Sequence, residues 1–406
     1  MPEEQAGTNA PNISRPPAEV FAAFLKLGLT SFGGPIAHLG YFRQEFVVRR
    51  RWIDEAGYAD LVALCQFLPG PASSQVGFAL GLLRGGPLGA LAAWTAFTLP
   101  SAILLLLFAS GATALRGPVG DNLLHGLKLV AVCVVAQAVW GMARTLTPDV
   151  QRASIAAIAA LTAVFVAGST GQLAAIVLGG LAGFYLCRKD AAQTIGQLAF
   201  PVSKRVGLAA LLAFFLLLVL LPLAAGSGLS QGLSLFDAFY RAGALVFGGG
   251  HIVLPLLEAE VVQPGWVGTD AFLAGYGAAQ AVPGPLFTFA AYLGAVMSPE
   301  PNGIGGAAIC LLAIFLPGFL LVIGALPFWD AFRRRPAAQA IMRGTNAAVV
   351  GILAAALYDP VWTSTVDGPG DIGLALLGFA LLVLLKAPPW VVVVFVASGA
   401  MLVGLI

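Results

Sequence analysis

Charge is scarce in this chain. Only 10% of its 406 residues are Asp, Glu, Lys or Arg, against about a quarter in a soluble globular domain. With 59% hydrophobic residues, a soluble core would not hide the apolar surface, so the solvent must be largely lipid. Histidine is rarer still: His38, His125 and His251 lie far apart in sequence, and no metal site follows from them. Cys65, Cys133, Cys187 and Cys310 sit in or at the end of apolar runs. They match no metal-ligand spacing and read as small core hydrophobes, with no cofactor implied. No GxxxxGK[ST] phosphate loop occurs, which excludes ATP as a direct energy source for this chain and leaves an ion gradient, the membrane potential or a partner. The net charge of +2 comes without a basic tract interleaved with aromatics, so no nucleic-acid partner is expected. No nucleophile with a base and no clustered acids are present, and no polar stretch is long enough for an output domain. A membrane-embedded enzyme and a channel or sensor are therefore disfavoured. Residues 1–16, MPEEQAGTNAPNISRP, lack the basic start and apolar core of a cleaved signal and read as a disordered tail.

What the chain has instead is long apolar runs, among them Leu88–Ser110, Ala153–Gly168, Leu208–Ala225 and Trp390–Ile406, on the scale of the roughly 20 residues that cross a bilayer. Glycine (50) and proline (26) are abundant, as close helix packing and broken helices in a membrane bundle require. Runs such as GGLAG and GIGGAA are ordinary packing of this kind.

The chain is also written twice. Placing Phe21 on Phe236 aligns FAAFLKLGLTSFGG with FDAFYRAGALVFGG. Lys26 falls on Arg241, Gly28 on Gly243, Phe32-Gly33-Gly34 on Phe247-Gly248-Gly249, and Glu45 on Glu260. With short slips, Trp52 meets Trp266, QFLPGP (Gln66–Pro71) meets QAVPGP (Gln280–Pro285), and Leu99-Pro100 meets Leu316-Pro317. The copies occupy 17–189 and 234–406, and the intervening 190–233 holds one transmembrane helix. Each copy has six apolar elements, near 17–40, 57–83, 86–111, 119–146, 152–168 and 171–187 in the first, and near 234–257, 270–297, 303–326, 337–358, 371–385 and 389–405 in the second. In both, the first two elements carry Gly/Pro breaks. All are expected to be helices, since a lipid-exposed backbone must satisfy its own hydrogen bonds.

Arginine and lysine in short loops mark the cytoplasmic side. If each element crosses once, the cluster Arg43 with Arg49-Arg50-Arg51 lies opposite the clusters Arg188-Lys189 with Lys204-Arg205 and Arg333-Arg334-Arg335 with Arg343. If the broken elements are re-entrant, all three clusters share one side and the other side receives Glu258, Glu260, Asp270, Glu300, Asp359, Asp367 and Asp371, with Arg116 alone misplaced, so the re-entrant form is preferred. One linking helix between copies of six elements then turns the copies opposite ways. The second copy's loop EAEVVQPGWVGTD is acidic where the first is arginine-rich, as inversion predicts. The fold expected is an all-α integral membrane protein with two inverted-topology repeats. Each has two broken, re-entrant helices followed by four transmembrane helices.

Inverted repeats with broken helices place a transport site near the midplane at the repeat interface. A break frees backbone N–H groups, and the half-helix after it presents a partly positive N-terminus that suits an anion. The expected site is therefore Phe32, Gly33, Gly34, Pro35, Pro69, Gly70 and Pro71 with Phe247, Gly248, Gly249, Gly250, Pro283, Gly284 and Pro285. Lys26 and Arg241, six residues before each Phe-Gly-Gly, either help to bind a dianion or snorkel to the interface. Gln66 and Gln280 either donate to an oxyanion or make interhelical contacts. Glu45 and Glu260 either carry coupling protons or pair with nearby arginines. His251 follows the second glycine run and can line the site. Trp52 and Trp266 read as interface anchors.

The ordered set FGGP, an arginine-rich loop before WIDE, and QxxPGP, in a duplicated layout, resembles the chromate ion transporters in their long two-domain form, over nearly the whole chain. The resemblance implies an inner-membrane exporter of chromate that confers chromate resistance. Sulfate or another oxyanion is the alternative substrate, and a homodimer is left open. The second copy departs from the pattern, with Gly250 where the first has Pro35. Export of a dianion from a negative cytoplasm gains about 2.3 kcal/mol per charge per 100 mV, so the potential alone is a sufficient drive.

Overall fold

The computed structural model describes residues 17–32, 34–112, 118–166, 169–188, 200, 202–228, 230–247, 250–332 and 335–403. Among them, every regular element is a helix, the outcome expected of a chain whose backbone must pair with itself in lipid. The tail 1–16 and Gly33, Gly248 and Gly249 lie outside the described residues.

The first copy comprises α1 (Pro17–Thr30), α2 (Gly34–Phe42) running into a π turn (Arg43–Arg49), α3 (Glu55–Phe67), α4 (72–84), α5 (87–112), α6 (Pro118–Leu146), α7 (Val150–Phe165) and α8 (Ser169–Leu186). Helix α9 (Lys204–Gly226) follows alone. The second copy then gives α10 (Gln231–Ala244), α11 (Val253–Leu257) running into a π turn (Glu258–Val262), α12 (Thr269–Ala281), α13 (Phe289–Val296), α14 (Gly303–Ala325), α15 (Pro336–Ala356), α16 (Pro369–Val383) and α17 (Pro389–Val403). Element for element, α1–α8 recur as α10–α17, down to the π turn that carries Glu45 in one copy and Glu260 in the other.

Helices α4 and α5 meet at Gly85 and Gly86, whose backbone is not helical. The chain reverses there, because Gly81 lies directly against the Gly89 carbonyl and Ala93, which a continuous helix would hold about 12 Å or more away. The broken elements are likewise hairpins. The rings of Phe24 in α1 and Phe46 in the π turn stack at 4.7 Å, and Tyr292 of α13 donates to the Ala271 carbonyl of α12 at 3.0 Å. In the first copy the two hairpins begin and end together. Glu19 at the start of α1 lies 3.7 Å from Arg50 and 3.6 Å from Arg84, and both guanidinium groups approach the Trp52 ring. In the second copy the Ser298 N–H donates to the Trp266 carbonyl at 3.0 Å, which closes the same corner.

The long helix of each copy is gripped by the other copy. Helix α6 packs on α12, α16 and α17, and α15 packs on α7 and α8. The crossings are reciprocal. Cys133 of α6 donates to the Ala375 carbonyl of α16, and its counterpart Gly351 of α15 sits against the Ala156 carbonyl of α7. Gly126 abuts Ala397, and its counterpart Gly344 abuts Gly179 and Gly183. Small residues let these backbones approach closely, the usual means of association where lipid removes the hydrophobic drive. All four cysteines are buried, in keeping with their reading as core residues. Among the described residues, five helical segments are long and apolar enough to cross a membrane, at 72–111, 120–146, 204–226, 303–328 and 336–362, the first of these being the α4–α5 hairpin.

Candidate functional site

Each break is held by the break of the opposite copy. The Gly70 N–H, in the first Pro-Gly-Pro, donates to the carbonyl of Val246 at 2.7 Å, just before the second Phe-Gly-Gly. The Gly284 N–H, in the second Pro-Gly-Pro, donates to the carbonyl of Ser31 at 2.9 Å, just before the first. Ser31 and Val246 are equivalent positions, so the two bonds are one contact made twice. The flanks repeat the exchange. Gly70 packs on Gly318, beside Pro317 of α14, and Gly284 packs on Ser101, beside Pro100 of α5. Both glycines have positive φ, +123° and +100°, where an L side chain is strained.

This revises how the breaks work. The glycine N–H groups of Pro-Gly-Pro are not free for an anion, because buried irregular backbone must find partners and each copy supplies the other's. The donors left over lie one step further on. The hydrogen-bond ladder of α4 starts with the Gln75 N–H to the Pro71 carbonyl at 2.9 Å, so the N–H groups of 72–74 precede it. Gln75 ties this turn to both copies, with its Nε2 donating to the Pro69 carbonyl at 2.9 Å and to the Gly318 carbonyl at 3.1 Å. His38 closes the other flank. Its ring is buried, with Nε2 3.2 Å from the Ser31 carbonyl and Nδ1 3.4 Å from Ser73 Oγ.

The remaining expected site residues divide. Pro71, Pro283 and Pro285 are buried and Pro69 is half-buried at the crossing. Gly34 opens α2 with φ of +75°, followed by the half-buried Pro35. Phe32 leans on Trp390 of α17 at 6.4 Å, and Phe247 is half-buried. Gly250 and His251 form a short 3-10 turn, with His251 Nδ1 2.9 Å from Tyr276 Oη. Gln280 is half-buried, while its counterpart Gln66 is exposed on α3.

The paired cations do not behave alike. Lys26 lies on the exposed face of α1 with Phe21 and Leu29. The same face of α10 is covered by α9, and Arg241 is enclosed there. It makes a bidentate pair with Glu260 at 2.9 Å and 2.9 Å, and a third contact with Asp237. The three groups sum to one negative charge and line a cavity of about 420 Å³ with Trp266, an unfavourable site for an anion. Glu45 is likewise paired, with Arg50 at 2.6 Å and Arg49 at 2.9 Å. The two equivalent glutamates thus each bind arginine, the second of the two roles expected for them. The histidines stay apart. His125 pairs with Asp371 at 2.9 Å, and one ligand atom each from His125, Asp367 and Asp371 falls within 4.8 Å of the others. With the paired Lys128 and Asp270 at 2.9 Å, these groups fasten α6 to the second copy.

Sequence reasoning missed Ser31, His38, Ser73, Ser74, Gln75 and Thr98, all buried around the crossing. A signal was available. Their second-copy counterparts, in the same registers, are Val246, Val253, Phe287, Thr288, Phe289 and Phe315, so one copy keeps polar groups where the other has lost all but one.

The chromate transporter family model matches the chain twice, at residues 18–184 and 233–404. The chain belongs to the chromate transporter family. A chromate transport protein of Pseudomonas aeruginosa is 29% identical over 96% of this chain and 92% of its own length. One of Cupriavidus metallidurans is 27% identical over 94% and 91%, and a probable chromate transport protein of Synechococcus elongatus is 30% identical over 82% of each. No solved structure matches the chain. Membership of the chromate transporters, together with the apolar helices, makes this a multi-pass membrane protein with a transport role.

Proposed function

We propose that this protein exports chromate through the cytoplasmic membrane as a secondary transporter, with its two copies in inverted orientation and its substrate site at the crossing of the breaks. The observation that carries the site is the reciprocal contact of Gly70 with Val246 and Gly284 with Ser31. Broken helices from both copies meet there, as in transporters built on inverted repeats. Family membership and relatives named for chromate transport support the substrate. The direction rests on energetics, since an anion leaving a negative interior gains about 2.3 kcal/mol per charge per 100 mV. Labelled chromate should accumulate in everted vesicles carrying the protein, faster when the lumen is made positive, and excess sulfate should compete poorly. Uptake of sulfate in preference to chromate overturns the substrate assignment, and indifference to the imposed potential overturns the drive.

The inverted orientation has its own test. Gln44 and Gln263 are both exposed, in the arginine-rich corner and in its acidic counterpart. Because the four native cysteines are buried, Gln44→Cys and Gln263→Cys report without background. An impermeant thiol reagent on intact cells should label the cysteine at 263 and spare the one at 44. Labelling of both or of neither from outside rejects inversion.

A further inference from the structure

Serine and threonine hydroxyls within membrane helices normally donate to the carbonyl four residues back. Thr30, Thr95, Ser110, Thr145, Ser154 and Thr162 all do so here. Among the described residues, the fully buried hydroxyl oxygens with no partner in the protein are those of Ser31, Ser74, Thr98 and Thr365. Three of the four surround the crossing, where Ser31, Ser74 and Thr98 are 0%, 3% and 1% exposed.

They form one neighbourhood. Helix α1 crosses α5 where Gly28 lies against the carbonyls of Ala96 and Phe97, which sets Ser31 one turn beyond and Thr98 beside the contact. Ser101 donates to the Thr98 carbonyl at 3.0 Å and faces Gly284, whose N–H holds the Ser31 carbonyl. His38 spans from that carbonyl to Ser73, the neighbour of Ser74 in the first turn of α4, ahead of the start of its hydrogen-bond ladder. Three residues with unpaired hydroxyls therefore surround the crossing, and Ser74 stands in the first turn of α4, whose N–H groups and dipole favour negative charge.

The second copy offers no free hydroxyl at the equivalent helix N-terminus. Its helix opens with a 3-10 turn in which Thr288, the counterpart of Ser74, uses both its N–H (3.0 Å) and its hydroxyl (2.8 Å) on the Pro285 carbonyl. The flanking positions are Phe287 and Phe289. We propose that the hydroxyls that bind the oxyanion come from one copy only, those of Ser31, Ser74 and Thr98 at the N-terminus of α4, with Phe287, Phe289 and Phe315 in the neighbouring registers of the second copy. This rests on the oxyanion-transport reading and names the ligands of its site. Gln75 refines the choice of anion. Its Nε2 is committed to two carbonyls, and its buried Oε1 has no partner in the protein. Such an acceptor suits an oxyanion that carries a proton near neutrality, as chromate does and sulfate does not.

The test is the rise in melting temperature that chromate or sulfate produces in the purified full-length chain, with transport measured in parallel. Ser74→Ala and Thr98→Val should each weaken chromate binding roughly tenfold, the effect of losing one hydrogen bond to a charged group. Without anion, both should melt at or above the wild-type temperature, because an unpaired buried hydroxyl contributes no stability. Thr288→Val and Thr365→Val should leave the chromate response intact. Chromate should protect the wild-type chain more than sulfate. A full chromate response in both Ser74→Ala and Thr98→Val overturns the one-sided site, and so does a response lost in Thr288→Val. Equal protection by sulfate overturns the role given to Gln75. A wild-type chain that neither responds to nor transports any oxyanion instead overturns the transport reading itself.

Discussion

Gly284→Val is expected to abolish transport in a protein that still inserts, and Gly70→Val to do the same. Each glycine has a φ that a β-branched residue avoids, +100° and +123°. Each also lacks room. A Cβ at 284 would lie 2.7 Å from Ser101 Oγ and 3.1 Å from the Phe97 carbonyl, and one at 70 would lie 2.8 Å from Gln75 Nε2 and 3.1 Å from the Gly318 Cα. A valine must therefore push the two copies apart at their central contact and break the bond to Ser31 or Val246. The outer helices of the fold are not involved, so insertion should survive. Gly141→Val is the control, since open space surrounds that position. Chromate uptake per inserted molecule decides the matter, and wild-type uptake by both crossing mutants would reduce the breaks to packing features.

The second large effect is expected at Arg241, and on stability rather than affinity. Removing one partner from a buried ion cluster costs about 3–5 kcal/mol, because the remaining charges are left unpaired. Arg241 is 30% exposed, while Asp237 and Glu260 are 6% and 11% exposed, so a loss at the lower end, about 3 kcal/mol, is expected for Arg241→Gln. Abundance and melting temperature should fall, while the chromate affinity of the folded fraction stays near wild type. Neutralising all three groups together should recover much of the loss, since a hydrophobic or neutral replacement of a complete buried cluster is close to stability-neutral. Lys26→Gln should change neither quantity, because that side chain is exposed on α1. A selective loss of affinity in Arg241→Gln, at unchanged stability, would return the arginine to the substrate site.

That the chain is a helical membrane protein, that it is written twice, and where each copy breaks can be read from the residues alone. These follow from composition and spacing, because lipid leaves an apolar chain few backbone solutions and a repeat is visible wherever registers match. The pairing of Glu45 with arginine was legible for the same reason, its partners lying four and five residues away. What each break does is set by contacts made in three dimensions. The partners of Gly70 and Gly284 lie in the opposite copy, and nothing local in QxxPGP says that its N–H is already committed. Tertiary packing also separates Lys26 from Arg241. The two align in sequence, yet α9 exists once and packs on α10 and α14 of the second copy, so one cation meets the surroundings and the other meets two carboxylates. The buried hydroxyls were hidden for a related reason. A serine or threonine in an apolar helix usually bonds to its own backbone, and no residue pattern marks Ser31, Ser74 and Thr98 as buried hydroxyls that lack that partner.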